Sequence, residues 1–174
     1  SFCGIGDLAN EKNEKTGYQY AQVGVGTNSW NEIWLKKPDE DFKLFFSDQS
    51  SYLSPVALVD GHLYATTDRD ASGGRLVKID LNNPAPENWQ DIIPEDSENK
   101  LEYAFFKDNK IIAHWSEDTA SKISFYDRQG AFLYNMPLPV QTVASFARIN
   151  KEDKKTTMVV RGFKTAGDQY EYDF

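Results

Sequence analysis

Two kinds of aspartate recur along this chain with nearly one period, and that spacing constrains the fold more than any other feature. Asp60, Asp108 and Asp153 each stand in a polar turn, Asp60-Gly61, Asp108-Asn109 and Asp153-Lys154, at intervals of 48 and 45 residues. Asp80, Asp127 and Asp173 each close a strand-like run, at intervals of 47 and 46. Two independent markers with one period define a repeat. A unit of about 46 residues that holds four short strands is the size of a β-propeller blade.

Turn residues divide each repeat into strands. The first complete unit reads as Ser54 to Val59, His62 to Thr67, Arg75 to Leu81 and Trp89 to Ile93; the second as Leu101 to Lys107, Lys110 to Ser116, Lys122 to Asp127 and Phe132 to Met136. Three strands precede them, Tyr18 to Val25, Glu32 to Lys36 and Lys43 to Phe46, and three follow, Val143 to Ile149, Thr157 to Phe163 and Gln169 to Phe174. The expectation is an all-β chain of four-stranded antiparallel blades. Two are whole, about 54–93 and 101–136, and two partial, about 18–46 and 143–174, all within one domain spanning 1–174. Runs such as Lys110-Ile-Ile-Ala-His-Trp115 are apolar on both faces, as a sheet packed between two neighbours requires. Fourteen per cent aromatic residues and two Met also favour sheet over a helical bundle.

A closed propeller needs roughly four to eight blades, so the chain reads as part of a ring. Its terminal blades are expected to expose apolar faces carrying Trp34, Phe46, Phe146 or Phe163, together with unpaired strand edges. Such surfaces favour self-association or capture of the missing blades.

Composition narrows the function classes. A net charge of −8 disfavours a phosphate backbone as partner. The lone Cys3 excludes an internal disulfide and offers no metal-ligand spacing. It suits a reducing compartment; the cytoplasm is favoured, with the periplasm as the alternative. No apolar run approaches the roughly 20 residues of a membrane helix, and no basic segment leads into an apolar one at the N-terminus. A soluble chain, bound neither to nucleic acid nor to membrane, is expected.

No residue carries an assignable catalytic, cofactor or metal role. His62 follows the Asp60-Gly61 turn and His114 lies among Ile111, Ile112 and Trp115, both reading as structural histidines. Asp68-Arg-Asp-Ala-Ser-Gly-Gly74 has alternate carboxylates, but its glycines fall at the wrong offsets for a calcium loop and Arg69 separates the acids. Gly24-Val25-Gly26 lacks the third glycine and following helix of a dinucleotide site. The charged run Asn150 to Lys155 reads as a solvated hairpin tip. Trp34, Phe45, Tyr64, Phe106, Trp115, Phe125 and Tyr134 fall within strands, where packing between blades is their default role.

One stretch is distinctive beyond its period. Arg75 to Asp80 form a strand ending in aspartate, Asn83-Pro84 make a turn, and Trp89 opens a short strand finishing in Ile93-Pro94-Glu95. This order resembles a blade of the prolyl oligopeptidase family. Thr67-Asp68-Arg69-Asp70-Ala71 is like that family's Asn/Asp-x-x-Ala-Pro loop, with Ser72 where Pro is usual, and Leu101-Glu102 and Lys122 to Met136 resemble the next blade. The likeness is carried over about Trp34 to Phe174; it does not place Ser1 to Asn28.

The resemblance implies a partial seven-bladed propeller whose parent is a serine-type prolyl endopeptidase acting on short peptides. It implies, as partners, the remaining blades and an α/β-hydrolase domain absent from this chain. The family nucleophile needs a Gly-x-Ser-x-Gly turn, which does not occur here, so the chain alone is expected to be inactive. The alternative is a non-catalytic propeller that serves as a binding or interaction module. One departure stands out. In animal members a cysteine follows a Trp-aromatic pair at the position of Lys36, so any thiol sensitivity tied to that cysteine does not transfer.

Overall fold

The computed structural model describes residues 2–24, 29–139, 141–148, 155–162 and 165–173. They form four antiparallel sheets in chain order. The first blade holds β1 (Phe2–Ala9), β2 (Lys15–Gly24), β3 (Asn31–Lys36) and β4 (Lys43–Ser47). The second holds β5 (Leu53–Val59), β6 (His62–Thr67), β7 (Arg75–Asp80) and β8 (Gln90–Ile93). The third holds β9 (Lys100–Lys107), β10 (Lys110–Glu117), β11 (Ala120–Tyr126) and β12 (Phe132–Asn135), and the fourth β13 (Thr142–Arg148), β14 (Lys155–Gly162) and β15 (Thr165–Asp173). Each sheet is a meander of hydrogen-bonded neighbours. β1 lies against β5 and β5 against β9, so these first strands are the innermost and the sheets radiate from them.

The hairpin turns explain the period. Asp60 and Gly61 have φ of 49° and 74°, and Asp108 and Asn109 have 47° and 61°. Positive φ at both central residues is the two-residue hairpin geometry that matches the strand twist, and Asp, Asn and Gly tolerate it best. The third marker, Asp153-Lys154, lies outside the described residues, as does Phe163.

The first blade corrects the expectation of a three-stranded unit over about 18–46. Phe2–Ala9 supplies a fourth strand, pairing with β2 from Phe2 opposite Gly24 to Ala9 opposite Lys15. Gly4 and Gly6 weaken its strand signal in the sequence. Gly6 has a packing reason: it stands opposite Tyr20, whose ring would lie 2.7 Å from an added Cβ. A smaller shift concerns Trp89, which caps a 3-10 turn over Pro86–Asn88, with β8 beginning one residue later.

The core lies in the seams between blades. Leu8, Ile33 and Phe46 of the first blade meet Leu53, Leu63, Ala65, Val77 and Ile79 of the second. Ala57, Tyr64, Leu76 and Ile93 of the second meet Leu101, Phe106, Ile111, Ala113 and Trp115 of the third. Ile112, Ile123, Phe125 and Met136 of the third meet Ala144, Met158 and Val160 of the fourth. Successive residues therefore serve opposite seams, Leu63 and Tyr64 on β6, Leu76 and Val77 on β7, Ile111 and Ile112 on β10. The two-residue period of a strand, applied to a sheet buried on both faces, explains the nearly continuous apolar runs.

Two expected exposures are corrected by these seams. Phe46 is 6% exposed and its ring meets Trp89 of the second blade at 5.9 Å. Phe146 packs edge-on against Phe105 of the third blade at 5.4 Å. Both point toward the middle of the arc, where a neighbouring blade covers them. Tyr134, expected in the core, is 40% exposed on β12 although it stacks on Phe125.

Polar links reinforce the seams. The buried Asn31 side chain donates to Leu53 O and accepts from Leu53 N, both at 2.9 Å, and so joins β3 to the first strand of the next blade. Leu101 N donates to Gly73 O at 2.7 Å across the following seam. At that seam's rim Gly130, with φ of 92°, sits so close to Ile92 that an added Cβ would stand 2.0 Å from its carbonyl oxygen. Arg128, in the turn before β12, reaches past the second blade to Glu11 in the turn between β1 and β2, at 3.4 Å.

Candidate functional site

The residues singled out as chemical candidates do not converge. His62 Nδ1 donates to Asp60 O at 2.8 Å and lines a hollow of about 380 Å³ with Lys78 and Arg128. His114 belongs to another blade and another seam. Its Nε2 donates to Ala144 O at 2.8 Å and lies 3.1 Å from Ser121 Oγ.

A serine beside a histidine invites a nucleophilic reading, which the surroundings exclude. Ser121 Oγ accepts from Ala144 N at 3.1 Å. His114 Nδ1, where an orienting carboxylate would bind, is buried without a hydrogen-bond partner. The imidazole also stacks on Tyr103 at 4.8 Å. The pair is a joint between blades.

The Asp68–Gly74 loop is likewise structural. Asp68 Oδ1 accepts from Tyr52 N at 2.8 Å, and Arg69 pairs with Asp48 across the loop. Ser50 and Ser51 also donate to Asp48, and hydrogen bonding from Ser50 is the leading cause that holds this carboxyl below its usual range. Gly74, with φ of 81°, supplies the left-handed residue before β7. Among the described residues no group of three or more His, Cys, Asp or Glu could hold a metal. Gly24 ends β2; Val25 and Gly26 lie outside the described residues.

A groove of about 550 Å³ with mixed chemistry is shared by the first three blades. Trp30 and Asn31, at the start of β3, form one wall; Tyr52, Pro55 and Val56, at and before β5, form the floor; Glu102 and Tyr103, near the start of β9, form the other wall. The backbone places them together because β5 and β9 run side by side and the Asn31 clamp holds β3 against Leu53. Burial raises the Tyr103 hydroxyl. Burial first, then the charges of Asp68 and Glu102, raises that of Tyr52. Sequence reasoning missed this groove. Trp30, Tyr52 and Glu102 come from three different repeats, and the one available signal was an aromatic residue standing directly before a strand.

No helix among the described residues is long and apolar enough to cross a membrane. The family described as the prolyl oligopeptidase N-terminal β-propeller domain matches residues 14–174. A prolyl endopeptidase of Elizabethkingia miricola is 30% identical over 138 residues, covering 76% of this chain and 19% of that protein. One of Elizabethkingia meningoseptica is 33% identical over 129 residues, covering 70% and 17%. The chain therefore spans less than a fifth of these relatives. Among solved structures, one from a study of two prolyl endopeptidases superposes with a TM-score of 0.82 at 21% identity, over 98% of this chain and 25% of that one. Apo prolyl oligopeptidase B of Galerina marginata gives 0.80 at 20%, over 99% and 25%. These superpositions speak for the fold, and the match over residues 14–174 speaks for descent. With blades of the expected size, the chain belongs to the prolyl oligopeptidase family as part of its N-terminal β-propeller.

Proposed function

We propose that this chain is the propeller segment of a serine peptidase that cleaves short peptides after proline, and that it gates access to a hydrolase domain lying outside these residues. The observation that carries the reading is the family match over residues 14–174, on an arc of blades that holds no nucleophile turn. The mechanism is steric selection. A wall of packed blades leaves a passage too narrow for a folded chain and admits flexible peptides, while bond cleavage occurs on the hydrolase.

The test uses the full-length protein with one proline-containing sequence offered twice, as a free peptide of about ten residues and inside a folded, protease-resistant domain. Cleavage of the free peptide alone supports the reading, and equal cleavage of both overturns the gate. Labelling with a fluorophosphonate probe tests the catalytic half. The isolated 174-residue chain is expected to remain unlabelled, and stoichiometric labelling of a serine within it would place the chemistry here.

A further inference from the structure

The groove shared by the first three blades has a chemistry that gating alone does not use. Its lining includes the aromatic residues Trp30 and Tyr52 and the carboxylate residue Glu102, and none of its described lining residues is Lys, Arg or His. Glu102 is held only loosely: Lys100 lies 3.7 Å away with a side chain 61% exposed, an arrangement worth little in water. Tyr52 reports the local field, since the negative charges of Asp68 and Glu102 add to burial in raising its hydroxyl. Burial, the larger cause, disfavours any charge, whereas the two carboxylates favour a cation. Aromatic faces beside a carboxylate form the standard physical means of holding an ammonium or guanidinium group, through ring quadrupoles and a counter-charge at once. The volume, about 550 Å³, holds a short peptide segment rather than one small ion.

We propose that this groove binds the cationic group of a peptide, either a lysine or arginine side chain or a free amino terminus, with Glu102 as counter-charge and Trp30 and Tyr52 as aromatic walls. The proposal rests on the propeller being a peptide-handling segment. It adds a charge preference that steric gating does not supply.

The experiment measures binding, so it does not depend on cleavage. Full-length protein is titrated against proline-free hexapeptides with a fluorophore at the C-terminus, read by anisotropy at low salt. One peptide is N-acetylated with a central lysine, one is N-acetylated with norleucine there, and one has norleucine and a free amino terminus. Either cationic peptide is expected to bind about five- to tenfold tighter than the neutral one, in keeping with one screened ion pair and one cation–ring contact. Which of the two does so identifies the source of the charge. Glu102→Gln is expected to bring the ratio within about twofold and Glu102→Asp to keep most of it, with unchanged melting temperatures because Glu102 is exposed. Equal binding of all three peptides, or a preference that survives Glu102→Gln, overturns the proposal. Prolyl cleavage measured separately on neutral peptides shows whether the gating reading stands by itself.

Discussion

The seam between the second and third blades and the seam between the third and fourth follow one strand plan with different contents. The former is filled by Leu76, Ile93, Leu101, Phe106, Ile111 and the fully buried Trp115, with Tyr64 and Phe106 edge to face at 5.2 Å. The latter relies on Met136, Met158, Ala144 and Val160 around Phe125, and on a polar joint in which His114 and Ser121 grip both backbone groups of Ala144. Apolar filling stabilises a seam by volume and tolerates small slips. A pair of directional bonds to one residue fixes the register, because a hydrogen bond weakens within a few tenths of an ångström. The turns set where a seam falls, and the side chains on it decide how strictly the neighbour is positioned.

Removing the largest filler should break the apolar seam most severely. Trp115→Ala is expected to cost about 3–5 kcal/mol by denaturant unfolding, from lost burial plus the cavity left behind. Gly130→Ala should follow at about 2–4 kcal/mol, since its methyl group would overlap the Ile92 carbonyl and the backbone has positive φ; a neutral result would mean that the rim turn yields freely.

The polar seam should respond less in stability and more in order. His114→Ala leaves the Ala144 carbonyl only the longer bond from Ser121 Oγ, at 3.4 Å, and removes the Tyr103 stack, an expected loss of about 1–3 kcal/mol. Amide exchange should then quicken in β13 more than in β9. Equal protection in the two strands would remove the distinction drawn between the seams.

Acid should separate the seams by another route. Hydrogen bonds from Glu98 N and Asn99, with Lys122 nearby, hold the Asp96 carboxyl below its usual range, and Asp48 is held low at the preceding connection. A depressed carboxyl contributes stability that is fully present above its ordinary value, near 4, and is lost as pH falls through the folded value. Asp96→Asn is therefore expected to flatten the fall in stability below about pH 4 while leaving the His114 joint intact, as followed by urea unfolding at a series of pH values.

The smallest change in stability is expected at the outer strands, where the second and third blades also differ. β8 carries Asp91, paired with Arg75 at 2.8 Å, whereas all four residues of β12 are exposed, Phe132 at 57%. Leu133→Lys should shift stability by less than about 0.5 kcal/mol yet reduce self-association in light scattering, as a charge on an apolar edge strand does. Unchanged scattering would mean that β12 recruits nothing.

Much of this architecture was legible because turns demand particular residues. Asp60-Gly61 and Asp108-Asn109 announced hairpins, and His62–Thr67 begins and ends where those signals placed it. β1 was not legible, since Gly4 and Gly6 on either side of Ile5 interrupt the run of β-branched and aromatic side chains by which strands are recognised. Seam membership was also hidden. Alternation tells which residues share a face, but nothing local says that Phe46 would meet Trp89, 43 positions later. The groove was least legible, because a site formed by three repeats has no contiguous motif.

The Glu11 to Arg128 contact has a geometric consequence. Contacts between adjacent blades leave the angle between them adjustable, as in a chain of hinged plates. A contact between next-nearest blades is a chord drawn across an arc, and a chord of fixed length sets the curvature beneath it. The ion pair itself is worth little in energy. Glu11, however, is only 13% exposed, so lengthening the chord means uncovering and solvating its carboxylate. The angle from plate to plate determines how many plates complete a circle, and a single pair of residues 117 positions apart thus bears on the size of the ring to which this arc belongs.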